Sequence, residues 1–332
     1  MYNISLPLSI CTQDTSNVQA FEKIIPAEIK FDNRIYLDPF VSIEDIYLDQ
    51  HNTNIGKTWD QHNLYFSNFI KETKPESIFE IAGGNGFLYK KYNTKIPWTI
   101  VDLNPIITSK DNLIVLKKNF EFSDIKNNTT LICSHFFEHI TDHKKFLQQL
   151  KEGSIDNFIV SIPNMGEYLK SNFPALHFEH PVFLSESYME YICGSNGWSI
   201  VKKAKYKNHS IFYQLQSASK KFKPVYYDIE TDLNFLNNFF QYYLKRIEKL
   251  KNNQFYIFGA HFPLYYLLSL GLDKKNILGV VDNDIKKQNK RMYGLDIQTY
   301  CPKSIPSGSN ICVEMGPYNI EIKKNLKNHV LI

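Results

Sequence analysis

Cysteine is scarce and scattered. Five stand in 332 residues, Cys11, Cys133, Cys193, Cys301 and Cys312, with no C-x-x-C pair among them. That spacing argues against a structural zinc module or a disulfide framework and fits a reducing cytoplasm, the expected location. Long apolar runs are missing too. The most apolar stretch, residues 262–272, falls short of the roughly 20 residues a membrane span requires, so a buried helix and no membrane insertion are expected. The first residues carry neither a basic leader nor an apolar core, and no signal peptide is expected. Charge of one sign is not massed. The net charge is +4, with Lys and Arg interspersed among Asp and Glu, which argues against a nucleic-acid partner. Aromatics, by contrast, are plentiful at 14%, enough for large cores and stacking contacts.

Residues 78–87 (IFEIAGGNGF) followed by Val101-Asp102 are the most informative stretch. They read as a strand, a glycine-bearing turn and an acid closing the next strand. Glycines let the backbone approach a ligand, and a carboxylate about 20 residues on can accept ribose hydroxyls. Two nucleoside cofactors compete, a dinucleotide and S-adenosylmethionine. The turn begins with a strand-end acid, Glu80, rather than with G-x-G-x-x-G. A carboxylate beside a diphosphate is repulsive, whereas a sulfonium tolerates it. S-adenosylmethionine is therefore the expected cofactor. Glu80, Gly83, Gly84, Gly86 and Asp102 are its expected contacts, with Ser134 and His135 closing over it from a neighbouring strand end.

The periodicity predicts an α/β protein. A helix over 57–72 places Trp59, His62, Phe66, Phe69 and Ile70 at helical spacing. Strands are expected over 77–81, 99–102, 112–116, 130–134 and 157–162, with helices over 87–92 and 144–151. After a long insert, a helix over 186–193 and a strand pair over 198–204 and 211–215 complete the unit. Residues 216–226 are polar and basic and mark a boundary. A helix over 233–251, with Phe235, Phe239, Tyr242, Tyr243 and Ile247 along one side, leads into a second alternating unit. The expected division is an N-terminal arm (1–45), a cofactor-binding domain (46–220) and a smaller Rossmann-like domain (232–332) that embraces substrate.

The segments EIAGGNGFL (80–88), VDLNP (101–105), SHFFEHI (134–140) and HFEHPVFLS (177–185) together resemble the S-adenosylmethionine-dependent nucleotide-sugar C-methyltransferases. In the second half, YIFGAHFPLYYL (256–267), VVDNDIKKQNKRMYG (280–294) and MGPYNIEIKKNL (315–326) are similar to that family's C-terminal pattern. The resemblance implies a class I methyltransferase core with an appended Rossmann-like domain. It also implies methyl transfer to a nucleotide-activated sugar for surface glycan or polysaccharide biosynthesis, the substrate lying in the cleft between the domains. Glu179 and His180 are implied as catalytic. A histidine titrates near neutrality and can take the acceptor's proton, and an adjacent carboxylate can raise its basicity. His51, His62, His177, Tyr293 and Tyr318 are the implied substrate contacts. This chain departs from the family at three places. The N-terminal zinc module is reduced to Cys11, His177 replaces a tyrosine two residues before the Glu-His pair, and His51 stands where another tyrosine is usual. Those departures leave C-, O- and N-methylation open.

His135 to His139 also spell H-x-x-E-H, an inverted zinc-protease motif. That motif needs one continuous helix, whereas the strand over 130–134 runs straight into it, so no metal is expected. Two rivals remain: an NAD-linked sugar oxidoreductase, and an inactive binding protein on the same fold. Oligomeric state is not legible.

Overall fold

The computed structural model describes residues 2–8, 12–13, 24–46, 56–125, 129–217 and 226–332. At the start of the chain, β1 (Tyr2–Pro7), β3 (Ile24–Phe31) and β4 (Ile35–Asp38) pair antiparallel in that order. Ile4, Leu6, Ile29, Ile35 and Leu37 line the buried face. β2 (Thr12–Gln13) lies between β1 and β3 in sequence, and α1 (Ile43–Ile46) follows β4.

Next come α2 (Lys57–Lys71), β5 (Ile78–Ile81), α3 (Phe87–Tyr92), β6 (Trp98–Asp102), β7 (Leu113–Lys117), β8 (Thr130–Ser134), α4 (His143–Glu152) and β9 (Asn157–Pro163). Then follow α5 (Met165–Lys170), α6 (Glu186–Ser195), β10 (Trp198–Tyr206) and β11 (Ser210–Ser217). The sheet runs β10-β11-β9-β8-β5-β6-β7, with β5 to β9 parallel and β11 inserted antiparallel beside β9. β8 and β9 are buried along nearly their whole length, as strands covered on both faces must be. β10 forms an edge and carries Lys202, Lys203 and Lys205, charges that discourage pairing with another sheet. α2 turns Phe66, Phe69 and Ile70 onto this sheet, with the Phe66 ring 4.9 Å from that of Phe212.

The chain then forms α7 (Ile229–Leu250), β12 (Phe255–Phe258), α8 (Pro263–Ser269), β13 (Ile277–Val281), β14 (Arg291–Met292), β15 (Thr299–Tyr300), β16 (Asn310–Val313), α9 (Asn319–Asn325) and β17 (Val330–Leu331). A second, smaller sheet, all parallel, runs β15-β13-β12-β16-β17. β14 pairs instead with β2. The buried stripe of α7 is Leu236, Phe239, Phe240, Tyr243, Ile247 and Leu250. Phe235 is not on it; the Lys170 ammonium sits over its ring at 4.8 Å.

The α/β class expected from the sequence is therefore present, with its second Rossmann-like sheet. The chain divides into two compact units: Leu48–Asn164 with Leu184–Asp228, and Met1–Tyr47 with Met165–Phe183 and Ile229–Ile332. Where the sequence reading ran one domain through 46–220, the contacts group Met165–Phe183 with the second unit. The reason is backbone pairing and side-chain bonding inside that unit. Leu37 N–H donates to Pro181 O (2.7 Å) and Phe183 N–H to Ile35 O (2.9 Å), adding the insert to the edge of β4. The Tyr266 hydroxyl also donates to Leu176 O at 2.7 Å.

Local capping is legible in α4, where Asp142 Oδ1 accepts from Lys145 N–H at 2.9 Å. Asp142→Ala is expected to cost about 1 kcal/mol, the usual value for an N-cap, measured by urea denaturation. An unchanged midpoint would show that the packing of Phe146, Leu147 and Leu150 alone holds this helix.

Candidate functional site

The chain leaves β5 to build β6 and β7 on one side, then returns to build β8 and β9 on the other. The carboxyl ends of β5 and β8 thus flank a topological switch point, where open α/β sheets bind ligands. Five expected cofactor residues lie in or just after these central strands. Glu80 lies within β5 and Gly83 and Gly84 in the turn after it, Ser134 ends β8, and His135 follows it.

The turn itself is tight. Ala82 and Gly86 take left-handed backbone angles, φ 58° and 64°. Gly83 and Gly84 serve a different need, which is space. A Cβ on Gly83 would lie 2.3 Å from Glu80 Cδ, and one on Gly84 2.5 Å from Asp102 Cγ. Asp102, at the end of β6, accepts from Gly84 N–H through Oδ2 (2.9 Å) and from Asn104 N–H through Oδ1 (2.8 Å). Two acids are therefore folded directly against the glycines. Glu80 is buried and accepts from Trp98 Nε1–H at 2.9 Å. Loss of solvation pushes its carboxyl up to about 8, with the Trp98 bond opposing and the Asp102 charge adding. Asp102 is also raised, chiefly by burial, against the pull of its two backbone bonds.

The smaller sheet repeats this device. Asp282, just after β13, accepts from Ala260 N–H (2.8 Å) and from Asp284 N–H (2.8 Å), beside Gly259 at φ 96°. An acid that holds a neighbouring turn by one backbone bond and its own loop by another is thus partly an architectural element. What distinguishes the first copy is the second buried carboxyl, Glu80, under its glycines.

His135 takes φ 52°, so β8 breaks there instead of running into a helix. Phe137–His139 is one 3-10 turn. The H-x-x-E-H residues therefore do not lie on one helix, and His135 turns toward two residues distant in sequence. His62 on α2 and His209 before β11 offer ring nitrogens that, with one of His135, all lie within 4.8 Å of one another. His62 Nε2 is 2.9 Å from Ser161 Oγ. Ser210 Oγ is 2.9 Å from His135 Nε2 and 2.6 Å from His209 Nδ1. His135 Nδ1 lies 3.2 Å from Oε1 of the buried Glu138. Burial drives all three imidazoles below their ordinary range, His135 to about 3, so each is neutral at pH 7. The sequence reading placed His62 among the substrate contacts and missed His209, treating Asn208-His209 as a break between strands. Its only signal was a hairpin turn whose register, Ser210 opposite Pro163, returns the chain to the carboxyl end of β9.

Of the residues implied for catalysis and substrate, His177, Glu179, His180, Tyr293 and Tyr318 lie in the second unit. His177 and His180 bridge backbone to backbone, with Phe178 and Glu179 at the tip. The His177 ring stacks on Phe262 at 4.1 Å and meets His180 at 4.0 Å. Glu179 is buried rather than solvated. Tyr293 is buried, its carbonyl accepting from the Tyr265 hydroxyl at 2.6 Å. Tyr318 packs against the cluster of Phe258, Val313 and Ile322. His51 lies outside the described residues.

No family model and no curated protein matches the chain. Among solved structures it is similar to magnesium protoporphyrin IX methyltransferase from Synechocystis PCC 6803 with bound SAM. Identity there is 11% and the TM-score 0.36, over 51% of this chain and 87% of that one. A SAM-dependent methyltransferase from Aquifex aeolicus is 14% identical with a TM-score of 0.36, over 48% of this chain and 93% of that one. A putative type 11 methyltransferase from Sulfolobus solfataricus gives the same four values. Each alignment takes in about half of this chain, and the fold itself rests on the strand order: a central parallel sheet, an antiparallel strand inserted at one side, and a glycine turn at the switch point.

Proposed function

We propose that the chain is an S-adenosylmethionine-dependent methyltransferase with a class I core. The observation that carries this reading is the pair of buried acids against the glycine turn. Having no side chain, Gly83 and Gly84 let the carboxyl groups of Glu80 and Asp102 pack directly against the turn backbone, where a Cβ would otherwise stand. Burial pushes the Glu80 carboxyl up to about 8; a sulfonium beside it favours the ionised form, whereas a diphosphate opposes that ionisation. Asp102 uses one lone pair of each oxygen on backbone N–H groups and keeps others for ribose hydroxyls. Bound there, the cofactor supplies an electrophilic methyl group. The protein's task is then to hold the acceptor in line and remove its proton.

The acceptor is proposed to be a nucleotide-activated sugar, on the strength of the sequence resemblance in both halves of the chain. Glu179 and His180 are the proposed proton-removing pair. With a keto sugar His180 removes the proton beside the carbonyl, and with a hydroxyl or amine it deprotonates that group directly. Surface-glycan biosynthesis in the cytoplasm is the matching role.

Calorimetric titration tests the cofactor. Saturable binding of S-adenosylhomocysteine with none of NADH is expected, and the reverse result would establish the oxidoreductase reading instead. Incubation of nucleotide sugars with methyl-labelled cofactor in deuterated water, read by NMR, locates the transferred group. Deuterium beside a carbonyl supports the enolate route. His180→Ala is expected to bind cofactor and transfer no methyl; full turnover in that variant would remove His180 from the chemistry.

A further inference from the structure

We propose that His62, His135 and His209 form a three-histidine site for a divalent transition-metal ion of the zinc type. Residues 62, 135 and 209 come from a helix, a strand end and a hairpin turn, yet their ligand atoms all lie within 4.8 Å of one another. Their ring centroids are 5.1, 5.4 and 5.5 Å apart. Tetrahedral zinc–nitrogen bonds of ~2.0–2.1 Å set ligand nitrogens about 3.4 Å apart, within the 4.8 Å that bounds these atoms.

The surrounding groups fit the ligand role. A metal-bound imidazole holds an oxygen partner on its other nitrogen, which sets tautomer and orientation. Here Ser161 stands on His62, Glu138 on His135 and Ser210 on His209. His62 Nδ1 is then left buried and without a hydrogen-bond partner, an arrangement that costs free energy unless something binds it. The ion takes that nitrogen, and at His135 Nε2 it replaces the Ser210 hydroxyl. An all-nitrogen set selects zinc, cobalt, nickel or iron over calcium and magnesium, which take oxygen. Trp59 lies edge-on to all three rings, its centroid 4.7–5.2 Å from each, and shields the ion's apolar side.

Three protein ligands leave a coordination position for an oxygen donor, the pattern of a catalytic rather than a structural site. The site lies past the carboxyl end of β8, the strand beside β5. If the methyltransferase reading holds, that position takes the acceptor's hydroxyl or carbonyl oxygen. Metal binding itself does not depend on that reading.

The test uses the full-length, tag-free chain stripped by chelator and titrated with zinc or cobalt(II) chloride. Native mass spectrometry is expected to show one ion per chain. Cobalt(II) is expected to give the visible d–d bands of a nitrogen-rich site. His62→Ala and His209→Ala should each abolish that spectrum, while His329→Ala should leave it unchanged. Because both first positions are buried, Ser161→Ala and Glu138→Gln provide gentler variants, expected to weaken the ion about ten- to a hundredfold. Absence of saturable binding in folded wild type, or binding indifferent to all four site substitutions, would overturn the proposal. A chain that binds cobalt here but no S-adenosylhomocysteine keeps the metal site and loses the methyltransferase reading.

Discussion

Gly84→Ala is expected to lower affinity for S-adenosylhomocysteine by at least about a hundredfold, close to 3 kcal/mol. The new Cβ would stand 2.5 Å from Asp102 Cγ and 2.6 and 2.8 Å from its two oxygens. The carboxylate cannot stay. Its bond to Gly84 N–H breaks, and the group proposed to take the ribose hydroxyls swings out of position. Backbone strain is not the cause, because Gly84 is not among the glycines with positive φ. The variant should therefore fold. Gly86→Ala provides the contrast. There φ is 64° and the close atom is Ile107 Cδ1 at 2.3 Å, so the expected loss is mainly of stability, on the order of 1–2 kcal/mol. Titration calorimetry and thermal melts separate the two. Wild-type affinity in a folded Gly84→Ala variant would remove this turn from cofactor binding.

Glu80→Gln is expected to change both stability and cofactor binding, each in a pH-dependent way. The Glu80 carboxyl is pushed up to about 8 in the folded chain, above its ordinary 4.5. The folded state then holds a proton that the unfolded state has released. Stability contributed by that proton is complete below pH 4.5 and is lost as pH rises through 8. Each pH unit costs up to about 1.4 kcal/mol, and the sum by pH 8 is on the order of 4 kcal/mol. Glutamine keeps an oxygen for Trp98 Nε1–H and carries no charge. The variant should melt with wild type near pH 4.5 and well above it at pH 8.5. For binding the sign reverses. A sulfonium favours the ionised carboxylate, so wild-type affinity for S-adenosylmethionine should climb toward pH 8 by as much as about tenfold per unit. S-adenosylhomocysteine, with a neutral sulfur, should climb less, and the variant should be flat for both. Parallel pH profiles for wild type and variant would show that Glu80 does not sense the cofactor's charge.

Much of the fold was visible in the sequence because its signals are local. The continuous apolar run of β8, the alternation in β10 and the aromatic stripe of α2 each follow from side-chain period, and each element lies where expected. The glycine turn was visible for the same reason: close backbone approach demands glycine, and the strand-end acids mark its two sides. The role of each glycine was not visible, because Gly86 answers to a dihedral angle while Gly83 and Gly84 answer to carboxylates, one of them 18 residues away. Nor was the burial of Glu179, which depends on the pairing of Pro181 and Phe183 with β4.

The sequence by itself determined the α/β class, the two Rossmann-like sheets and the turn at Glu80–Gly86, since periodicity and turn chemistry act over a few residues. Only the tertiary structure decided where the insert carrying His177, Glu179 and His180 belongs and which histidines meet. His62 and His135 appeared in the sequence as separate contacts for substrate and cofactor, His209 as a break between strands. Sheet order and a hairpin register bring them within 4.8 Å, a convergence across 147 residues that no local pattern encodes.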